Sequence, residues 1–154
     1  MFHIVLFQPE IPPNTGAIIR LCANTGFRLH LIEPLGFDLD NAKLRRAGLD
    51  YHELQTMQTW PDLNAFLQAI KPPHIFAIST KGAHWYTEAV FQHGDALLFG
   101  RETEGLPDEV LASIVEGHVL RLPMRSESRS LNLANAVSVV AYEAWRQNHF
   151  EGAD

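Results

Sequence analysis

Short apolar runs alternate with helix-patterned segments along this chain, and three of those runs end in polar, glycine-bearing stretches. Few folds accept that order. Alternating strands and helices predict an α/β architecture, with a mostly parallel sheet and helices on both faces. The expected strands are Phe2–Phe7, Leu29–Ile32, Ile75–Ser79, Ala96–Phe99 and Val119–Leu122. Asn14 is expected to cap a helix that runs to about Asn24 and stops at Gly26. Gln8-Pro-Glu-Ile-Pro-Pro before it is read as too rich in proline for a helix or a central strand. A short basic helix is expected over Ala42–Ala47. Another opens at Thr59 or Trp60 with Pro61 in its first turn, and Leu63, Phe66, Leu67 and Ile70 form its apolar face. A helix near Pro107 follows. The longest runs from Asn132 to about Asn148, with Leu133, Ala136, Val137, Val140, Ala144 and Trp145 at helical spacing.

Ligands of such sheets bind at the carboxyl ends of the strands. The three polar strand ends are Ser79–Gly82, Gly100–Gly105 and Leu122–Asn132. Composition narrows the chemistry. The chain has 154 residues, of which 46% are hydrophobic, enough for one domain with a full core. A single domain over 1–154 is expected, with no extension domain. No apolar run approaches membrane-spanning length, so no membrane partner is expected. The lone cysteine, Cys22, forms no internal disulfide, which fits a cytoplasmic location. The 8 histidines do not pair at metal-ligand spacing, and no metal is expected. No nucleotide-binding glycine loop follows the first strand. A net charge of -6 argues against nucleic acid when taken alone. However, Arg101, Arg121, Arg125 and Arg129 gather late in the chain, and Lys43, Arg45 and Arg46 form a tight group. A local basic surface is compatible with that distribution.

Each polar segment has a structural and a functional reading. Asn14-Thr-Gly16 with Arg20 is either a capped helix with an exposed arginine, or an anion site of helix amides and guanidinium. Phe99-Gly-Arg-Glu-Thr-Glu-Gly105 is either a solvated turn or a close approach to a ligand. One of its acids is suited to orient an arginine. Ser130 can cap the final helix. Asn132 and Asn135 are poor helix formers whose amides suit a polar substrate.

Together these segments resemble something known. Asn14-x-Gly16-x-x-x-Arg20, Phe99-Gly-x-Glu102-x-x-Gly105 and Leu122-Pro-Met…Ser130-Leu-Asn132-x-x-Asn135-Ala are similar to the three motifs of the SPOUT methyltransferases. The likeness is to the branch that methylates RNA ribose 2′-hydroxyls. Pro9–Gly16, Leu44–His52 and Ala136–Arg146 resemble its minimal subgroup, which acts on the wobble cytidine or uridine of transfer RNA.

The resemblance implies a deep C-terminal trefoil knot and a homodimer. It implies S-adenosyl-L-methionine (AdoMet) as methyl donor, held by Ile78, Gly100, Leu122 and Ser130. The implied catalytic set is Arg20, Asn14, Glu102, Ser130 and Asn132. Arg20 meets the nucleotide from the partner subunit, Glu102 orients an arginine, and Ser130 and Asn132 hold cofactor or ribose. Arg20, Arg45, Arg46, Arg129, Tyr142 and Arg146 are the implied RNA contacts. The implied substrate is the anticodon stem-loop of transfer RNA, with leucine isoacceptors as the expected set and no DNA. Two other readings stay open: ribose methylation elsewhere in transfer or ribosomal RNA, and a non-catalytic module binding AdoMet or RNA.

Overall fold

The computed structural model describes residues 1–128 and 130–154. Arg129, one of the expected RNA contacts, lies outside the described residues. The strands are β1 (His3–Phe7), β2 (Arg28–Ile32), β3 (Met57–Trp60), β4 (Ile75–Ile78), β5 (His84–Trp85), β6 (Ala96–Phe99) and β7 (Val119–Arg121). The helices are α1 (Pro12–Thr25), α2 (Asn41–Arg46), α3 (Tyr51–Gln55), α4 (Leu63–Ile70), α5 (Asp108–Ser113) and α6 (Leu133–Gln147). The strands form one 7-stranded sheet in the order β3-β2-β1-β6-β4-β7-β5. All six strand pairs are parallel, as the alternation predicts.

Strand side chains point alternately to the two faces of a sheet. Ile4, Leu6, Leu29, Leu31, Leu97 and Phe99 therefore share one core with α1 (Ile18, Ile19) and α6 (Val137, Val140, Ala144). Val5, Phe7, Ile32 and Leu98 face the other way, toward Phe66 of α4 and Leu111 of α5. Helices thus cover both faces, and the central strands are apolar on both sides.

Three local expectations are corrected. Asn14 does not cap α1: the cap is Ile11, and Pro12 and Pro13 begin the helix. A helix start has N–H groups without intrahelical partners, and proline has none to leave unpaired. The proline pair therefore starts the helix, and Asn14 is released for other contacts. Second, Thr59 and Trp60 end β3 and do not open a helix. Residues before proline are biased to extended backbone. Asp62 then caps α4, its carboxylate accepting the Ala65 N–H at 2.7 Å. Third, Ser130 does not cap α6. Asn132 does, accepting the Asn135 N–H at 3.3 Å.

β3 is a short edge strand, anchored by buried polar groups. Trp60 Nε1–H donates to His30 Nδ1 at 3.0 Å. Indole nitrogen is only a donor, so His30 Nδ1 is the acceptor and Nε2 carries the proton. That Nε2 lies 2.9 Å from Nδ1 of buried His3. Burial, with smaller effects from His3 and Arg28, pushes His30 down to about 3. Burial also lowers His3. Below about pH 6.5 the unfolded chain protonates these histidines while the folded chain does not. The neutral forms support the fold fully above that pH; the His30 share is lost as pH falls toward 3, and the His3 share is lost in the same direction. Denaturant titrations should show stability falling by up to about 1.4 kcal/mol per pH unit for each histidine below pH ~6.5. His30→Gln should flatten that slope between pH ~6.5 and ~5, above the carboxylate range.

Candidate active site

The carboxyl ends of β6, β4 and β7 lie side by side, and a cavity of about 260 Å³ opens there. Its lining includes Ile78, Gly100, Leu122 and Ser130, all four residues expected at the cofactor. Ile78 and Leu122 project from neighbouring strand ends, with Phe99, Leu133 and Ala136 completing an apolar part. The turn Arg101–Gly105 and Lys81 supply a polar part. Gly100 has a local reason to be glycine. A Cβ there would meet backbone atoms of Gly105 and Leu106 at 2.3 Å, because the turn folds back on the strand end. Arg101 and Gly105 close that turn with reciprocal backbone hydrogen bonds of 3.2 and 2.9 Å.

A hydrogen-bond chain joins the loops around this cavity. Glu102 accepts the backbone N–H groups of Glu10 at 2.9 Å and Ile11 at 2.6 Å. It also accepts Asn14 Nδ2 at 3.4 Å. Asn14 Oδ1 in turn accepts Asn132 Nδ2 at 3.0 Å. The sequence places Asn14 and Asn132 118 positions apart, and the fold makes them partners. The arginine expected at Glu102 is not found among the described residues, since backbone amides and Asn14 take the carboxylate. Glu10 answers with its own carboxylate, accepting Thr103 Oγ1–H at 2.8 Å and N–H at 3.2 Å. These bonds hold the Glu10 carboxyl below its usual range. Sequence reading missed Glu10 and Thr103 and placed Arg101 only in a basic surface. Their signal was position: Glu10 sits among prolines after the first strand, and the other two lie inside the glycine-bounded turn.

Arg20 is elsewhere on the chain. Its exposed side chain donates to Glu53 at 3.2 Å and to the Gly48 carbonyl. It borders a second cavity of about 540 Å³ between α1 and α2, with Pro12, Phe37 and Lys43. Arg45 lies over the Tyr51 ring at 5.7 Å, and Arg46 donates to the Ala42 carbonyl at 3.4 Å. α2 has no buried residue. On α6, Tyr142 is exposed, while Arg146 is held by Glu143 through two hydrogen bonds of 2.8 and 2.9 Å. Thus Ser130, Asn132, Asn14 and Glu102 gather at the first cavity, and Arg20, Arg45, Arg46 and Arg146 do not.

The lining suits an amphiphilic cofactor such as AdoMet. The apolar part can bury a flat ring, and the polar part holds a spare donor: buried Arg101 Nε has no hydrogen-bond partner among the described residues. Among the described residues no three His, Cys, Asp or Glu side chains converge on a metal position, and no helix is long and apolar enough to cross a membrane.

Comparison with known proteins agrees with this geometry. The SpoU rRNA Methylase family profile matches residues 1–142. A protein of Aeromonas hydrophila named tRNA (cytidine(34)-2′-O)-methyltransferase is 57% identical over 153 residues, covering 99% of this chain and 98% of that one. A structure reported for the 2-OH methylation of C/U34 on tRNA superposes with a TM-score of 0.87 at 49% identity, covering 97% of each chain. An rRNA methyltransferase of Sinorhizobium meliloti, solved with AdoMet bound, gives 0.81 at 25% identity, covering 94% of this chain and 56% of that one.

Replacing Glu102 removes the acceptor of two backbone N–H groups at once. Glu102→Ala should cost about 2 kcal/mol of unfolding free energy. Glu102→Gln should retain part of that stability, since its amide oxygen still accepts. Equilibrium urea denaturation of the three proteins measures both.

Proposed function

The chain belongs to the SpoU rRNA methylase family, and from that premise we propose that it transfers a methyl group from AdoMet to the 2′-hydroxyl of the wobble ribose in transfer RNA. One observation carries the reading: the strand-end cavity lined by Ile78, Gly100, Leu122 and Ser130 has the Asn132–Asn14–Glu102 chain at its border. The wobble position, cytidine or uridine 34, rests on the named relatives. A cytoplasmic location, the anticodon stem-loop as the recognised part and leucine isoacceptors as the set belong to the same proposal. So does the C-terminal knot, supported by β7 lying between β4 and β5.

When bound, AdoMet supplies an electrophilic methyl, so the protein's task is to position and polarise. Ile78, Gly100, Leu122 and Ser130 hold the cofactor. Asn132, fixed by Asn14 and by the first turn of α6, orients the ribose. Arg20 clamps a phosphate and stabilises charge developing on the 2′-oxygen. A guanidinium stays protonated in proteins, so Arg20 acts as a cation and not as a base, and the 2′-hydroxyl proton leaves to water as the O–C bond forms and the S–C bond breaks.

Arg20 does not line the cavity of its own chain, and a homodimer resolves that separation. Asn135, Val139, Tyr142 and Arg146 form one exposed stripe along α6 at helical spacing. Val139 and Tyr142, in the middle of the stripe, are 42% and 45% exposed, and an apolar pair flanked by polar residues fits a second copy. The partner then brings its Arg20 to the cavity.

Two experiments test these statements. Unmodified transfer RNAs incubated with methyl-labelled AdoMet should acquire 2′-O-methyl at position 34, mapped by nuclease digestion. Methyl at another ribose overturns the wobble assignment, and no transfer to any RNA overturns the enzyme. Separately, Arg20→Ala and Asn132→Ala should each be inactive as homodimers. Co-expressed, they should recover up to about a quarter of wild-type activity, because random pairing makes half the dimers mixed and each mixed dimer has one intact composite site. If the site lies within one chain, mixing restores nothing.

A further inference from the structure

Five charged side chains meet in the cavity wall: Lys81, Arg101, Glu102, Glu104 and, just behind it, Glu10. Three are committed. Lys81 is paired with Asp108 at 2.7 Å. Glu102 holds backbone amides of the β1–α1 loop, and Glu10 holds Thr103. Arg101 and Glu104 are left. Arg101 Nη1 and Glu104 Oε2 stand 3.7 Å apart, longer than a charge-assisted hydrogen bond. The Arg101 side chain is only 25% exposed, and its buried Nε has no acceptor among the described residues. The ring of Phe7, 5.8 Å from the guanidinium carbon, fixes where that charge sits. Glu104 is 74% exposed and free to turn. The wall therefore presents a fixed cation with unspent donors next to a movable anion.

We propose that Arg101 and Glu104 form a zwitterion clamp for the amino-acid end of AdoMet, Arg101 taking the carboxylate and Glu104 the ammonium. The assignment rests on the methyltransferase reading above. An α-carboxyl and an α-amino group carry opposite charges at neutral pH, and the pair matches both. It also fixes the direction of the cofactor. The adenine lies at the apolar end, among Ile78, Leu122, Leu133 and Ala136, and the amino-acid end lies at the Arg101–Gly105 turn. The sulfonium is then between them. Glu104 limits the site to a zwitterion, because an acid beside Arg101 repels a simple anion such as an RNA phosphate.

Calorimetric titration with two product-like ligands tests this. S-adenosylhomocysteine carries the amino-acid end; 5′-methylthioadenosine keeps the adenosine and sulfur but lacks it. Arg101→Met should weaken S-adenosylhomocysteine about ten-fold to a hundred-fold and leave 5′-methylthioadenosine unchanged. Glu104→Gln should weaken the first ligand by a smaller factor, again sparing the second. The double variant should lose less than the product of the two effects, since the two neighbouring side chains orient one amino-acid end together. Equal losses for both ligands in Arg101→Met and in the milder Arg101→Lys overturn the clamp. An unchanged S-adenosylhomocysteine affinity with weakened transfer RNA binding also overturns it and reassigns Arg101 to phosphate. No binding of S-adenosylhomocysteine by the unsubstituted protein overturns the clamp together with the methyltransferase reading.

Discussion

The site depends on one carboxylate. Glu102 stands at the end of a central strand and accepts from the backbone of the segment leaving the neighbouring strand. Through Asn14 it also reaches Asn132 and the start of the last helix. Three loops that are remote in sequence thereby share a few polar atoms. Such loops have no common core to order them, and hydrogen bonds to an ionised carboxylate are stronger than those between neutral groups. The network gives the loops one arrangement. Its reciprocal partner, Glu10 on Thr103, makes the junction between the first two loops two-sided.

The sheet beneath was largely legible because its signals are local. Apolar runs such as Ala96–Phe99 are buried on both faces, and their boundaries moved by a residue at most. The legibility failed where a signal served two purposes. Pro12 and Pro13 were read as helix breakers, yet at a first turn the same missing N–H is harmless. β3, with the residues Met-Gln-Thr-Trp, lacks an apolar run because it is an edge, and Trp60 is held through His30, a partner 30 positions away. The site shows the same division. The cavity residues Ile78, Gly100, Leu122 and Ser130 lie at strand ends and could be named from motif position. The partner of Glu102 could not, because backbone amides carry no sequence signature.

Charge is divided in a similar way. The net charge of -6 describes the whole surface, whereas function concerns where charge is left unpaired. Many cations here are already engaged: Arg146 by Glu143, Lys81 by Asp108, Arg20 by Glu53. The cations of these pairs are solvent-facing, and such contacts are worth little in isolation, so a phosphate can compete for them. An acidic chain can therefore present arginines to a polyanion by trading partners.

Strand β5 has one hydrogen-bonded neighbour, β7, which comes from far later in the chain and separates β5 from β4. A Cβ at Gly82, in the connection between β4 and β5, would meet the Leu120 backbone at 2.6 Å, so that connection lies directly against the inserted strand. During synthesis, β1, β2, β3, β4 and β6 can pair as soon as they leave the ribosome. The cavity cannot form then, because Leu122, Ser130 and Ala136 arrive last. Ligand affinity is thus acquired only when the tail is seated, and a ligand that binds only this finished state holds the tail in place. A ligand bound in the finished cavity thus adds to the stability of the folded chain as well as serving the reaction.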